Sequence, residues 1–423
     1  MTDSATAEVA VIGGGPAGLV AALALAALGA RVVLAAPPFD PARAAADGRT
    51  TALLPSSVEL LINLGAWRHC AEHSAPLQGV RIIDDRGGLM RAPEVVFRAA
   101  EVGLVSLGAN IANSALTTAL TTAASQAPGL TWRATPAVTA IAIEAQGVRL
   151  TLAEGGTLVA PLAVAADGRN SIGREAAAIA TDAWSYPQAA IATSFRHSRP
   201  HQGLSTELHR PAGPLTTVPL PGDASSLVWV EAPAEAARLA ALDDAAFLAE
   251  LEARLQGLLG SLSAVEPRAC YPLGGATARR MGQHRIALVG EAAHVIPPIG
   301  AQGLNLGLRD AATIAECVAD ARRRGADIGG PETLAAYHAA RFGDVTSRTA
   351  AVDLLNRSLL TDLFPVQALR GLGLHALANL APLRRLAMQA GMAPPGPLPR
   401  LMQPAALVPG LDVSARDGQV GRP

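Results

Sequence analysis

The chain has 423 residues, half of them hydrophobic but only 3% aromatic, with a formal net charge of -1. That length supports about two to three domains, with cores built mainly from Ala, Leu and Val. The charge balance excludes the basic stripe of a nucleic-acid binder, and Cys70, Cys270 and Cys317 are too scattered for a disulfide framework or a metal site.

Such cysteine usage points to a reducing, cytoplasmic compartment. The opening MTDSATAEVAVIGGG carries an early acid and no basic stretch, so no signal peptide is expected. Glu8 to Ile12 reads as a short apolar strand entering Gly13-Gly14-Gly15-Pro16-Ala17-Gly18. An Ala/Leu helix to Leu28 and a second strand at Arg31 to Leu34 follow. GxGxxG in the order strand, turn, helix, strand is the fingerprint of a dinucleotide-binding βαβ unit. In it Gly13 permits the turn, Gly15 lets backbone approach a pyrophosphate, and Gly18 allows close helix–strand packing. Leu19 to Leu34 is membrane-like in composition, but Gly29 and Arg31 interrupt it before the roughly 20 residues a bilayer requires. One part of the fingerprint is missing. Where an acid is expected to hold a ribose hydroxyl stand Ala35 and Ala36, and the nearest acid is Asp40, beyond Pro37-Pro38.

Arg49 precedes a helix at Val58 to Leu64 that Gly65 closes. It is placed either to reach a phosphate or ring carbonyl or to sit solvated in its loop. Gly79 to Asp84 and Val95 to Arg98 read as strands around a turn at Asp85-Arg86-Gly87-Gly88, and Asn110 to Ala124 as a helix. Leu130 to Ala165 has the rhythm of a β-meander and ends in Ala166-Asp167-Gly168-Arg169-Asn170-Ser171 before another helix. Asp167, closing a buried strand, suits either a ligand hydroxyl or the cap of that helix. Strand-like segments from Trp184 to Val230, then helices at Ala234 to Leu242 and Ala245 to Leu259, suggest a sheet that covers a substrate. His197, His201 and His209 within it have no metal-ligand spacing.

Arg285 to Asp310, RIALVGEAAHVIPPIGAQGLNLGLRD, carries the densest signals. Ile286 to Val289 is a buried strand by pattern, Gly290 ends it, and Pro297-Pro298, Gly300 and Gly303 force an irregular loop. From Leu304 the apolar positions recur at helical spacing. A strand, loop and helix N-terminus present unpaired N–H groups and a positive pole to an anion or electron-rich ring, although a plain αβ connection has the same pattern. The remainder is helical through Cys317 to Arg324, Pro331 to Leu360 and on to about Ala390. Arg357, Arg370, Arg384 and Arg385 interleave there with Leu-rich faces, as in a packed helical domain or a membrane-contacting or dimerising surface. Pro/Gly-rich composition from Pro394 reads as a mobile tail.

Three motifs in this order, GGGPAG, ADGRNS and VGEAAHVIPPIGAQGLNLGLRD, resemble the single-component FAD-dependent aromatic hydroxylases of the p-hydroxybenzoate hydroxylase type. DGRTTAL, LINLGAW, SLVW, YPL and GMAPPGPLPRLM make the chain most similar to the hydroxylases of ubiquinone biosynthesis, over nearly its whole length. The resemblance implies an α/β fold: a discontinuous Rossmann-like FAD-binding domain (1–75, 99–180 and 275–325), a β-sheet substrate domain (76–98 and 181–274), a helical C-terminal region (326–395) and a flexible tail (396–423). It implies that Gly13, Gly15 and Gly18 line the pyrophosphate and Arg49 contacts the flavin region. Asp167 would serve FAD and NAD(P)H binding, Glu291 would stand where the family's ribitol-binding Asp does, and Pro298 with Gly303, Leu304 and Asn305 would face the isoalloxazine. His294 is a candidate for tuning a proton transfer, and equally suits packing. The chemistry implied is consumption of NAD(P)H and O2 with transfer of one oxygen atom to an electron-rich ring, which requires no metal. The implied partners are a small aromatic, prenylated substrate, other ubiquinone-biosynthesis proteins and the inner membrane face, touched peripherally. Three positions depart from the family pattern: Ala35 for the ribose acid, Glu291 for Asp, and Ser114 for an arginine near the flavin. Two alternatives follow, a hydroxylase of another aromatic metabolite and a non-catalytic flavoprotein-like subunit of a biosynthetic complex.

Overall fold

The computed structural model describes residues 4–86, 92–361, 364–392 and 396–404. Its centre is a six-stranded sheet in the order Gly282–Gln283, Ile286–Leu288, Leu162–Ala165, Val9–Ile12, Val32–Ala36 and Leu130–Ala134. All neighbours are parallel except the short Gly282–Gln283 edge. Parallel strands covered on both faces read as continuous apolar runs, and the three central strands are buried at every position. Register places Ala165 beside both Ile12 and Leu288, so three carboxyl ends finish level.

The first helix, Pro16–Ala27, opens with proline where no N–H partner is needed, and it ends at Gly29, whose φ of 85° suits glycine. It packs against the long helix Gln302–Arg323. Close approach is possible because small residues meet: a Cβ on Gly307 would lie 3.0 Å from Gly290 Cα and 3.5 Å from Ala17 Cβ. Both helices thus begin at the same end of the sheet.

A second, nine-stranded sheet is built around the 17-residue strand Thr181–His197, which pairs antiparallel with Ala224–Glu231 and Ala269–Ala278. Helices Pro233–Ala240 and Asp244–Leu255 cover one face, burying Phe195, Trp229, Phe247 and Leu251. Strand His294–Val295 joins this sheet through Ala276 and Thr277, tying it to the loop that leaves the first sheet. A small sheet of Thr50–Leu53, Ala109–Ala112 and Ser74–Pro76 bridges the two, with Thr50 Oγ1 donating to Ser226 Oγ at 2.7 Å. Helices Pro331–Leu360, Phe364–Asn379 and Ala381–Met392 complete the described chain.

Two expectations are corrected. The helix expected from Asn110 begins at Asn113, because Ala109–Ala112 pairs as the middle strand of the bridging sheet. The tail expected from 396 is packed over 398–403. Leu401 and Met402 are buried against the core, Asn63 donates to the carbonyls of Leu401 and Gln403 at 2.8 Å, and Glu316 accepts from Leu401 N at 3.0 Å. Pro/Gly composition gives no sign of partners so distant in sequence. Residues 405–423, like part of the Asp85–Gly88 turn, lie outside the described residues.

Candidate active site

The level carboxyl ends of the three central strands open onto two helix N-termini. Gly13 has φ of 108°, and a Cβ there would stand 2.3 Å from Ala166 O; one on Gly18 would stand 2.0 Å from Gly13 O. Both positions are closed by backbone, so only glycine fits. Gly15 differs, since a Cβ there would meet no heavy atom within 4 Å. It caps the first helix without a side-chain bond, leaving the first-turn N–H groups and the positive pole facing an opening.

Asp167 leaves the adjacent strand. Its Oδ2 accepts from Gly173 N at 3.1 Å, while Oδ1 is buried with no hydrogen-bond partner among the described residues. Ser171 is the cap of the following helix, accepting from Arg174 N at 2.9 Å. One oxygen of Asp167 therefore supports that helix and the other is left for a donor the chain does not supply.

Leu288 leads through Val289 to a 3-10 turn, Gly290–Ala292, which presents Glu291 at the surface, 3.5 Å from Arg169 Nε. Arg49 is half-exposed and doubly bonded to Asp47, at 2.7 and 2.8 Å. The Asp47 hydrogen bond raises the Arg49 pKa, with Tyr271 and Glu291 adding to it at longer range. Tyr271, the first residue of the quoted YPL segment and assigned no role there, thus belongs to the same neighbourhood, and burial pushes its own pKa up.

The loop before the long helix buries Pro297 and exposes Pro298. Gly300 and Ala301 follow with φ of 66° and 54°, a left-handed pair that costs roughly 1–2 kcal/mol at alanine. Asn305 holds that conformation: its Nδ2 donates to Ala301 O at 2.6 Å and Ala52 O at 2.8 Å, and its Oδ1 accepts from Leu54 N at 2.9 Å. Its amide is therefore committed to the protein and locks the loop to the bridging sheet. Gly303 has open space at its Cα and Leu304 is half-buried.

His294 is 2% exposed, and its Nε2 lies 2.7 Å from Asp310 Oδ2. The same carboxylate oxygen accepts from Gly290 N at 3.1 Å, and Oδ1 accepts from Arg341 Nε at 2.7 Å. Burial alone would raise the Asp310 pKa; His294 and Arg341 overcome it and hold it low. This enclosure sets His294 behind the Glu291 turn, sharing Asp310 Oδ2 with Gly290 N. Beyond it Asp344 accepts from Arg309, Arg341 and Arg348 at 2.5, 2.7 and 2.8 Å. Arg341, Asp344 and Arg348 were not singled out from the sequence, because at helical i,i+3 and i,i+4 spacing they look like an ordinary solvated face; Arg309 and Asp310 closed a quoted motif with no role assigned to them.

Of the three departures, Ala35 is buried in its strand, and Asp40 is committed to capping Pro41–Ala45 by accepting from Ala42 N at 2.9 Å. Asp40 does not swing toward the strand end. Ser114 lies in the first turn of Asn113–Gln126 and is half-buried. A groove of about 430 Å³ lined by Leu23, Ala26, Asn63, Arg68 and Gln126 lies at the C-terminal end of the first helix, away from Gly15.

A parallel sheet opening onto two helix N-termini, with a second sheet tied to the exit loop, defines a dinucleotide-binding oxidoreductase architecture. The FAD binding domain family matches residues 6–349. "Ubiquinone hydroxylase UbiL" of Rhodospirillum rubrum is 38% identical over 94% of this chain and 92% of its own length. The "3-demethoxyubiquinol 3-hydroxylase" of Escherichia coli is 31% identical over 92% of this chain and 99% of its own. The crystal structure of p-nitrophenol 4-monooxygenase PnpA from Pseudomonas putida superposes with a TM-score of 0.75 at 19% identity, covering 93% of this chain and 100% of that one, a likeness of fold. The chain belongs to the FAD-binding family and is an FAD-dependent aromatic-ring monooxygenase. The family and enzyme class expected from the three motifs are borne out.

Proposed function

We propose that the chain uses NAD(P)H and O2 to hydroxylate the ring of a polyprenylated phenol or benzoquinol in ubiquinone biosynthesis. The names of the two relatives, which align along nearly their whole length, support this substrate class. The observation that carries the cofactor assignment is the open Gly15 beside the unpartnered Asp167 Oδ1: the chain leaves one cradle unfilled and one buried acceptor unmet.

In this reading Gly13, Gly15, Gly18 and the first helix hold the pyrophosphate of FAD, and Glu291 holds the ribitol. Asp167 and Arg49 serve the adjoining hydroxyl and ring groups. Pro298, Gly303 and Leu304 border the isoalloxazine, with Asn305 fixing their loop from behind. The chemistry supplied by bound FAD is two-electron exchange with NAD(P)H and activation of O2. The protein's share is to orient the ring, to keep water from it with the second sheet, and to place the positive pole of the long helix where negative charge develops. The reaction is read as taking place at the inner face of a membrane, beside other ubiquinone-biosynthesis proteins. Among the described residues no helix is long and apolar enough to cross a membrane.

The test is an absorption spectrum of purified protein with added FAD, followed by anaerobic NADPH and then aerobic turnover with a polyprenylphenol under ¹⁸O2. Flavin absorption bleached by NADPH, and one ¹⁸O atom in the ring, are expected. A flavin-loaded protein that consumes NADPH and hydroxylates no such ring refutes the substrate class.

A further inference from the structure

We propose that Glu207 accepts the hydrogen bond of the substrate's ring hydroxyl, and that this contact selects a neutral phenol over an ether or an anionic ring. The proposal rests on the reading above for the substrate class and places that ring against named residues.

Alternation decides which way the side chains of strand Leu204–Arg210 project. Leu208 belongs to the core beneath Pro233–Ala240 and Asp244–Leu255, with Leu215, Leu227 and Trp229. Glu207 and His209 therefore project from the opposite face. Register sets Glu207 in a row across that face: Ala192 pairs with Val228, Val228 with Thr216, Thr216 with Glu207, and Glu207 with Ile82. The flanking rows belong to two apolar clusters, one with Val230 and Tyr271, the other with Val80 and Val218. Each cluster reaches the cofactor side. Tyr271 neighbours Arg49, and the second cluster includes Ala52, whose carbonyl accepts from Asn305 Nδ2 at 2.8 Å. Glu207 thus stands in the middle of the face turned toward the proposed flavin.

That face is covered but not filled. Leu360 of Pro331–Leu360 packs on one flank and Met388 of Ala381–Met392 on the other. Between them Val228, Thr216, Glu207 and Ile82 stay half-buried, although each lies on a strand paired on both sides. Accessible side chains at the centre of a covered sheet mark a cleft, apolar apart from a few placed polar groups, as ligand sites are.

One acid–imidazole pair supplies those groups. His209 is 4% exposed, and its Nε2 lies 2.7 Å from Glu207 Oε1. Facing a carboxylate, Nε2 carries the proton and donates; Nδ1 is buried with no partner among the described residues. His209 thereby fixes one carboxylate oxygen, while Oε2 takes no hydrogen bond from any described residue. A carboxylate can only accept, and an unmet oxygen in a shielded cleft favours a donor. A phenol or quinol hydroxyl is such a donor. A methyl ether is not, and a ring carboxylate would be repelled. Arg370, the cation that reaches this face from Phe364–Asn379, does not offset that repulsion. It is bonded to Asp84, the register partner of His209, at 3.1 Å, and its Nε and Nη1 are buried.

The experiment measures dissociation constants on the FAD-loaded full chain, from the perturbation of flavin absorption by 2-prenylphenol, its methyl ether and 3-prenyl-4-hydroxybenzoate. Wild type is expected to bind the phenol at least about tenfold more tightly than either other ring. Glu207→Leu should weaken the phenol by roughly ten- to a hundredfold, the worth of a hydrogen bond to a charged group, and leave the ether unchanged. Glu207→Gln, which keeps a neutral acceptor, should restore most of the phenol affinity and bind the benzoate more tightly than wild type does. Both variants should keep the flavin spectrum, which reports that the fold is intact. Equal binding of phenol and ether by wild type overturns the proposal, as does discrimination that survives in Glu207→Leu. An equal loss for all three rings in Glu207→Leu shows a merely structural role and also overturns it. Discrimination that depends on Glu207 in a protein that hydroxylates no prenylphenol would refute the substrate reading and leave the Glu207 contact standing. Hydroxylation of prenylphenol with discrimination untouched by Glu207→Leu would do the reverse.

Discussion

Replacing Asp344 by asparagine tests whether the buried charge cluster holds the C-terminal helix against the cofactor loop. The carboxylate accepts three guanidinium hydrogen bonds at 2.5–2.8 Å and is almost wholly buried. An amide keeps one acceptor oxygen, turns an NH2 toward cations, and leaves Arg309, Arg341 and Arg348 without the carboxylate they share, Arg341 alone keeping a second one in Asp310. Breaking a buried pair from one side costs about 3–5 kcal/mol, which for 423 residues corresponds to a melting temperature lowered by roughly 3–6 °C at pH 7. The pH dependence gives a second, independent sign. Burial alone would raise the Asp344 carboxyl, but Arg309 and Arg341 hold it down at about 2 against an ordinary 3.8. A folded-state pKa below the unfolded value gives stability that is present above about pH 4 and is lost as pH falls toward 2, on the order of 2 kcal/mol in all and about 1 kcal/mol by pH 3. Wild type should lose that component between pH 5 and 3 and the variant should not, so the gap between their melting temperatures narrows on acidification. Scanning calorimetry of both proteins from pH 7 to 3 measures it. A difference under 2 °C at pH 7, or a gap that widens in acid, refutes the reasoning.

The glycine loop makes a paired prediction. Gly15→Ala should leave the melting temperature of the apoprotein unchanged within about 1 °C yet weaken FAD binding at least tenfold, because the added methyl enters only the open cradle. Gly18→Ala should instead destabilise the fold by about 1–3 kcal/mol or more, since its methyl meets Gly13 O; equal effects of the two in FAD titration and calorimetry would contradict the assignment. Asn305→Ala removes three part-buried hydrogen bonds and strands Leu54 N, a loss of about 2–4 kcal/mol, with more of the consumed NADPH released as hydrogen peroxide. Glu291→Ala, at an exposed position, should raise the FAD dissociation constant about tenfold without lowering the melting temperature, and Glu291→Asp should largely restore affinity; unchanged affinity in the alanine variant removes Glu291 from the site.

What was legible in the sequence was what local chemistry dictates. Val9–Ile12 and Ile286–Leu288 announce themselves because a strand buried on both faces is apolar throughout, and the glycines at 13 and 18 stand where backbone meets backbone. The 30-residue helix Pro331–Leu360 was read at its observed limits from the sequence. What escaped depends on partners distant along the chain. Ala109–Ala112 looks helical alone and becomes a strand because Thr50–Leu53 and Ser74–Pro76 lie on either side. Leu401 reads as part of a loose tail until Asn63 and Glu316 take up its backbone groups. Asp310 was the end of a motif, with nothing nearby to show that Gly290, His294 and Arg341 would converge on it.

The helix Pro331–Leu360 explains why such distant pairs matter. Tyr337 Oη donates to Leu288 O at 2.6 Å, at the end of a central strand, and Arg341 grips the Asp310 that holds the Glu291 turn. One turn on, Asp344 and Arg348 reach the start of the long helix through Gln302. Nearer its C-terminus Asp353 accepts from Tyr186 Oη at 2.6 Å, and Asn356 Nδ2 donates to Gln188 at 2.9 Å, both on the second sheet. Its buried face is therefore polar where a helix that merely packs would be apolar. Hydrophobic contact is non-directional and would permit sliding between the sheets, whereas a ladder of hydrogen bonds and ion pairs fixes register at each turn. Under the proposed placement of the flavin ring at the first sheet and of the substrate beneath the second, that register matters, and this helix supplies it from outside the reacting centre.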